Sequence, residues 1–263
     1  MEIALKEVSG SFHPLQMTFT RFLAGGLFLI PFAVRTLKKK RASLNWKDLP
    51  GFLLLGFVGM VLSMSIYQMS VKEVPASVVA VLFSSNPIFT AVLAFFMLKE
   101  PIRRNQIAAL LLEIGGILAI INPFHTSLSP YGVLLAMIST LLFAVYGVMG
   151  KRRCARFGGV VVTCASFLCG GAEMLFMILF SRLPMVNKWL AGSGLELFAN
   201  IPLLSGYSWN TLPWMLMICI VNTGLGFACY FKAMEETSAQ ETSLVFFLKP
   251  VLAPVFAFFI LGE

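Results

Sequence analysis

Aspartate is almost missing from this chain: Asp48 is the single example in 263 residues. Histidine occurs twice, as His13 and His125, both at the edges of apolar runs. Charged residues of every kind make up 12% of the sequence, against about 25% in a soluble domain. These shortages exclude chemistry. A membrane-embedded enzyme acting on lipid needs a polar cluster such as closely spaced Asp or His, and the supply here is too thin to build one, so the chain does not read as an enzyme. No HExxH and no His-metal constellation occurs. The absence of GxxxxGK[ST] removes support for ATP-driven pumping by this chain. Five cysteines are present, Cys154, Cys164, Cys169, Cys219 and Cys229, with no CxxC pair among them. Four lie in apolar runs, which suits small buried hydrophobes rather than a disulfide framework. No cofactor is expected. The opening MEIALKEVSG lacks the basic-then-apolar start of a signal peptide.

Apolar residues fill the space that charge leaves. They make up 58% of the chain, and the mean hydropathy is +0.86. A soluble core of this size has no use for so much apolar material, so the class is an all-α integral membrane protein with the lipid bilayer as its solvent. A spanning helix needs about 20 largely apolar residues. Eight segments qualify: 13–34, 50–71, 76–98, 105–123, 130–150, 158–181, 211–231 and 239–261. Barrel strands are excluded by the length of the runs and their lack of period-two alternation. The net charge of +8 does not indicate nucleic acid. Lys and Arg gather in RTLKKKRASLNWK, KEPIRRNQ and KRRCAR, between spans. Fourteen basic residues lie in alternate loops and four on the other side, which places the basic loops in the cytoplasm. Residues 182–210 read as an extracytoplasmic loop lying on the membrane surface.

The chain also repeats itself. Residues 86–100 read NPIFTAVLAFFMLKE and residues 249–263 read KPVLAPVFAFFILGE. A shift of 163 places Tyr67 on Tyr230, Glu73 on Glu236, Phe83 on Phe246, Pro87 on Pro250 and Glu100 on Glu263, with 11 identities in 37 ungapped positions. A shift of 145 lays TFTRFLAGG (18–26) over TCASFLCGG (163–171). The matching spans are five helices apart. An odd step reverses direction, so the two copies are expected to be inverted in the membrane, as in secondary transporters. The shift divides the chain into a first repeat, 1–123, and a second, 124–263. Each lacks one of the five helices of a complete unit: the first helix of the first repeat and the last of the second.

Two five-helix units, each with Pro-x6-Ala-Phe-Phe-x-Leu-x-Glu, resemble the EamA-type members of the drug/metabolite transporter superfamily. KEPIRRNQIAALLLEIGGILAI continues the first unit in a similar way. Lys99 departs from the usual Gly, which Gly262 keeps in the second copy. The resemblance implies a ten-helix inverted-repeat fold with eight helices present here. It implies a multi-pass plasma-membrane carrier of amino acids or other small metabolites.

Four charges fall near the centres of spans: Arg21, Glu113, Glu173 and Lys249. Each costs about 2.5–3.5 kcal/mol at a helix centre on insertion scales, so each must face a partner or a wet cavity. Lys249 replaces Asn86 of the first copy and precedes Pro250, beside disturbed backbone. It is a candidate anchor for a substrate carboxylate or phosphate, or else a structural partner of Glu113 or Glu173. Glu113 and Glu173 are candidates for proton coupling or for interhelical hydrogen bonds. Arg21 either binds solute or snorkels toward an interface. Asn86 offers a polar contact opposite Lys249 or caps a disturbed helix. Tyr67 and Tyr230 line a cavity or sit in an aromatic belt, and Tyr146 is read the same way. Glycine pairs at 25–26, 115–116, 158–159 and 170–171 suit close helix packing. The expected partners are a small-molecule substrate and protons, with a homodimer among the allowed assemblies. A non-transporting receptor or assembly factor on the same fold stays open.

Overall fold

A computed structural model describes residue 8, residues 10–121 and residues 128–248. Helix α1 spans Pro14–Lys40. His13 caps it, its Nδ1 accepting the Leu15 N–H, and Pro14 fills a first-turn position where no amide bond is lost. Lys38, Lys39 and Lys40 occupy its last turn, where the helix dipole favours cations, and Arg41 closes it in the left-handed conformation. Helix α2 spans Trp46–Glu73, and its middle, Phe57–Ser63, is wound as a π-helix. The third span breaks at Ser85 into α3 (Ala76–Ser84) and α4 (Asn86–Leu98). Pro87 has no amide to bond back, so the continuous ladder ends just ahead of it.

Helix α5 is Arg104–Ile121, α6 is Pro130–Phe157, α7 is Gly159–Ser181 and α8 is Pro184–Gly192. Helix α9 spans Leu212–Glu236 and contains a second π-helical stretch, Met217–Leu225. Helix α10, Ala239–Ser243, runs into a 3-10 turn at Leu244–Leu248. No strand occurs among the described residues.

Six of the eight expected spans are helices long and apolar enough to cross a bilayer: α1, α2, the α3–α4 pair, α6, α7 and α9. Helix α5 fills the fourth expected segment. The eighth, 239–261, starts as α10 and passes outside the described residues after Leu248, as does Lys249. A count of ten helices is not reached among the described residues.

Two local readings need correction. KRRCAR, expected as a loop, forms the last turns of α6, which ends at Gly158 with φ 92°. Basic side chains are favourable at a helix C-terminus, so a charged string at that end prolongs the helix into water. Segment 182–210 is also more ordered than a plain loop: it holds α8 and the 3-10 turn Glu196–Phe198. Met185 and Trp189 of α8 are exposed, as suits a helix at a membrane surface.

Helices α1 and α7 make the most extensive helix pair in the bundle. Glycines let the backbones cross closely. A Cβ on Gly25 of α1 would lie 3.2 Å from the Gly224 nitrogen of α9, and a Cβ on Gly56 of α2 would lie 2.4 Å from the Gly170 nitrogen of α7. The central core gathers Phe22, Phe143, Tyr146, Phe157, Phe167 and Phe231 from α1, α6, α7 and α9.

Polar ties fix which loops share a face. Lys40 pairs with Glu235 at 2.6 Å, Arg156 with Asp48 at 2.7 Å and Arg103 with Glu241 at 3.3 Å. Lys151 donates to the Met234 carbonyl and, at 2.5 Å, to that of Thr237. The four basic loops therefore meet at one end of the bundle, the cytoplasmic end by their charge. At the opposite end Gln16 donates to the carbonyls of Leu203 and Ser205 at 3.2 and 2.8 Å, and Ser70 to that of Gly132 at 2.7 Å.

Candidate functional site

Two aromatic pairs that the sequence shifts align are brought together at the centre of the bundle. Phe22 of α1 and Phe167 of α7, aligned by the shift of 145, touch edge to face with ring centroids 4.9 Å apart. Phe83 of α3 and Phe246 of the Leu244–Leu248 turn, aligned by the shift of 163, touch in the same manner at 6.4 Å. Tyr67 stands against Phe83 at 5.3 Å and Tyr230 against Phe246 at 5.7 Å. Phe143 of α6 joins both sides, 5.2 Å from Phe83, 5.9 Å from Phe246 and 5.8 Å from Phe227. Phe227 in turn meets Phe167 at 5.3 Å. Edge-to-face geometry is the preferred packing of aromatic quadrupoles, so the cluster holds its rings by orientation as well as by burial.

Local structure puts these rings there. Tyr67 lies just beyond the π-stretch of α2 and Tyr230 just beyond that of α9. A π-turn inserts a residue and rotates the remainder of the helix, and such turns gather at functional sites. Phe83 sits two residues before the break at Ser85. Phe246 sits in a 3-10 turn at the matching place after α10. The matched spans are thus irregular at matched depths.

Arg21 lies on α1 one residue before Phe22 and is 6% exposed. Its Nη2 donates to the Met64 sulfur at 3.2 Å, and its guanidinium stands 4.7 Å from the Phe22 ring centroid. It does not snorkel to an interface. Ser166 holds the matching place on α7, hydrogen-bonded to the Tyr146 hydroxyl at 3.1 Å and donating to the Thr163 carbonyl at 3.1 Å. Tyr146 is fully buried between α2 and α9, with Phe231 at 5.3 Å, so it belongs to the core rather than to a belt.

The other candidates separate. Asn86 is fully buried and serves packing: its Nδ2 donates to the Thr140 carbonyl at 3.3 Å, and its Oδ1 accepts from Thr90 at 3.0 Å. Glu113 lies on α5, which packs against α3. Both its carboxylate oxygens are enclosed without a hydrogen-bond partner among the described residues. Glu173 lines an apolar groove of about 520 Å³ between α2 and α7, with Phe57, Val61, Phe176, Met177 and Phe180. Phe57, Phe176 and Phe180 are exposed there, so Glu173 faces outward and away from the aromatic cluster. Lys249 lies outside the described residues. Tyr67, Tyr230 and Arg21 are therefore brought to one region, while Glu113 and Glu173 stand elsewhere. Among the described residues no group of three or more His, Cys, Asp or Glu is placed to hold a metal.

Sequence reasoning missed Phe143 and Phe227 as links of the cluster. It also missed the reciprocal bonds of Ser63 and Ser139, each hydroxyl donating to the other residue's carbonyl at 2.9 and 2.8 Å. For Phe22 and Phe167 the signal exists in the sequence, since the shift of 145 aligns them.

Comparison with known proteins adds four findings. The profile of the EamA-like transporter family matches residues 2–122 and 130–263. An uncharacterized transporter of Clostridium kluyveri is 32% identical over 260 residues, covering 97% of this chain and 78% of the relative. The uncharacterized inner membrane transporter YedA of Escherichia coli K12 is 28% identical over 281 residues, covering 93% of this chain and 87% of its own. A crystal structure with 18% sequence identity superposes with a TM-score of 0.73 over 98% of this chain and 82% of that one, which shows a shared fold. With the profile matched along both stretches and the spans in place, the chain belongs to the EamA-like transporter family and is a multi-pass transporter of the plasma membrane.

Proposed function

We propose that this chain is a secondary transporter that moves a small metabolite, an amino acid or related solute, by alternating access. Residues 1–123 and 124–263 act as its two inverted repeats, and solute passes between them. One observation carries the reading: Phe22 touches Phe167 and Phe83 touches Phe246. A residue that meets its own counterpart lies on the axis relating two copies. The π-stretches in α2 and α9, the break at Ser85 and the 3-10 turn Leu244–Leu248 support it further, because interrupted helices at matching places in two halves point to the binding site of an inverted-repeat carrier.

In this reading Tyr67, Tyr230 and the phenylalanines around them form the wall of the path. Arg21 and Lys249 supply positive charge to a solute carboxylate from opposite repeats. Glu113, whose carboxylate oxygens are enclosed without a hydrogen-bond partner among the described residues, is the candidate proton carrier. The experiment is counterflow into proteoliposomes with a panel of labelled amino acids and related acids. Accumulation that falls in Arg21→Ala and Lys249→Ala supports the reading, and no accumulation of any solute on the panel removes it.

A further inference from the structure

The cytoplasmic end of the bundle carries a set of charged ties that join the first repeat to the second. Glu235, near the end of α9, is their hub. Its carboxylate takes Lys40 of α1 at 2.6 Å and Lys232 at 3.5 Å, and it accepts the Gly159 N–H of α7 at 2.8 Å. That N–H belongs to the first turn of α7, where backbone donors lack helical partners and the dipole favours an anion. One side chain thus holds the ends of α1, α7 and α9 together. The pair is partly sheltered, with 29% of the Lys40 side chain and 12% of the Glu235 side chain exposed.

Three further ties cross in the same direction. Arg156 holds Asp48 at 2.7 and 3.3 Å. Arg103 holds Glu241 at 3.3 Å. Glu100 accepts the Ala239 N–H at 3.1 Å, and its carbonyl takes the Gln240 side chain at 3.1 Å. Lys40, Asp48, Glu100 and Arg103 come from the first repeat, and their partners come from the second. At the opposite end the ties between the repeats among the described residues are neutral, as with Gln16 to the Leu203 and Ser205 carbonyls and Ser70 to that of Gly132.

We infer that Lys40 and Glu235 form the central bolt of a cytoplasmic gate, which holds the path shut toward the cytoplasm and must open once in each transport cycle. The inference rests on the alternating-access reading and names the part that regulates it. Its physical basis is the place of the charges. Ion pairs at a membrane–water boundary exchange protein partners for water at modest cost, whereas buried apolar packing does not, so they bias a two-state equilibrium without freezing it. Because Glu235 also accepts the α7 amide, releasing Lys40 loosens α1 from α7 and α9 together.

The test is a single reporter cysteine, Phe246→Cys, in the full chain with its five native cysteines replaced by serine. Inside-out vesicles expose the cytoplasmic end to a membrane-impermeant maleimide. Glu235→Gln and Lys40→Gln should each speed labelling about tenfold, within the range of ordinary conformational coupling. Lys40→Arg, which keeps the charge, should leave the rate within about twofold of the parent. Lys40→Gln leaves the Gly159 N–H with its acceptor, so it still tests the bolt if Glu235→Gln does not fold. Unchanged labelling in a folded Lys40→Gln protein overturns the inference. Labelling that rises in the neutral variants while counterflow is absent for every solute supports the gate and removes the transport reading instead.

Discussion

Helices α1 and α7 carry related phrases, TFTRFLAGG and TCASFLCGG, and do the same packing work, yet only one of the two phrases carries a charge. Gly25 of α1 seats α9 at Gly224, and Gly170 of α7, its counterpart by the shift of 145, seats α2 at Gly56. Phe22 and Phe167 meet between them. Directly before those phenylalanines, α1 has Arg21 and α7 has Ser166. Ser166 is hydrogen-bonded twice within the core. Arg21 brings a charge to the same depth, at a cost of about 2.5–3.5 kcal/mol on insertion scales. The crossing is shared and the charge is not, so the charge has no role that packing alone requires. The two copies agree on architecture and part where solute recognition is proposed.

The largest effect should come from disturbing the shared crossings. A Cβ at Gly56 would meet the Gly170 nitrogen at 2.4 Å and its Cα at 2.7 Å, whereas one at Gly25 would meet the Cys219 carbonyl oxygen at 3.0 Å. Gly56→Ala should therefore cost about 1–3 kcal/mol as an overpacked contact and Gly25→Ala less, measured by thermal unfolding in detergent. Equal costs would mean that the two crossings are more alike than their spacing indicates.

The charge difference comes next. Arg21→Ala should lower counterflow about tenfold or more, a change of ~1.4 kcal/mol, while Ser166→Ala should leave it within about twofold. A comparable loss in both variants would move the functional asymmetry away from this pair.

A smaller effect separates the π-stretches. Ser63 and Ser139 exchange hydrogen bonds between α2 and α6. Gly226 stands opposite Ser63 by the shift of 163 and has no hydroxyl to offer. Ser63→Ala or Ser139→Ala should cost about 0.6 kcal/mol each, the average for such bonds in membranes, and Gly226→Ala should show no corresponding hydrogen-bond loss. Differential scanning calorimetry of the reconstituted protein would resolve the order.

The smallest effect concerns the caps. His13 caps α1, and Gly158, its counterpart by the shift of 145, begins α7, whose first amide is taken by Glu235. Burial, and then the nearby Lys72, lower the His13 pKa from its ordinary 6.5. The folded state thus resists a proton that the unfolded chain accepts. Stability from this source is fully present above 6.5 and declines as pH falls below it toward the lowered folded value. Protonation also removes the Nδ1 acceptor for the Leu15 N–H. His13→Gln should flatten that acid slope in unfolding curves between pH 7 and 5, and an unaltered slope would assign it elsewhere.

Much of the bundle was legible because long apolar runs and basic loops are written directly in composition. The positive-charge count put RTLKKKRASLNWK and KRRCAR on one face, and the Arg156–Asp48 pair joins them there. The π-stretches in α2 and α9 were not legible, since π-winding is set by packing across the bundle and FVGMVLS carries no marker for it. The break before Pro87 was legible in kind but not in position, because Ser85 ends the helix before the proline is reached. Within the site, charge alone did not separate Glu173 from Arg21: midspan depth fixes how far a residue lies from water but not which way the helix turns it. The aromatic cluster was half written in the alignment, through Tyr67, Tyr230, Phe83 and Phe246. Phe143 comes from α6, which has no matched partner among the spans, so the repeat could not disclose it.

The account depends on solute passing along the line where the two repeats meet, between Phe83 and Phe246. The most direct measurement is counterflow by a Phe83→Cys/Phe246→Cys protein, with the native cysteines replaced, before and after closure of the new pair by a short bifunctional cleavable thiol cross-linker. The account predicts that closure stops flux and that cleaving the linker restores it. Flux that continues at the same rate with the pair fully linked, as read by mass spectrometry, would contradict it.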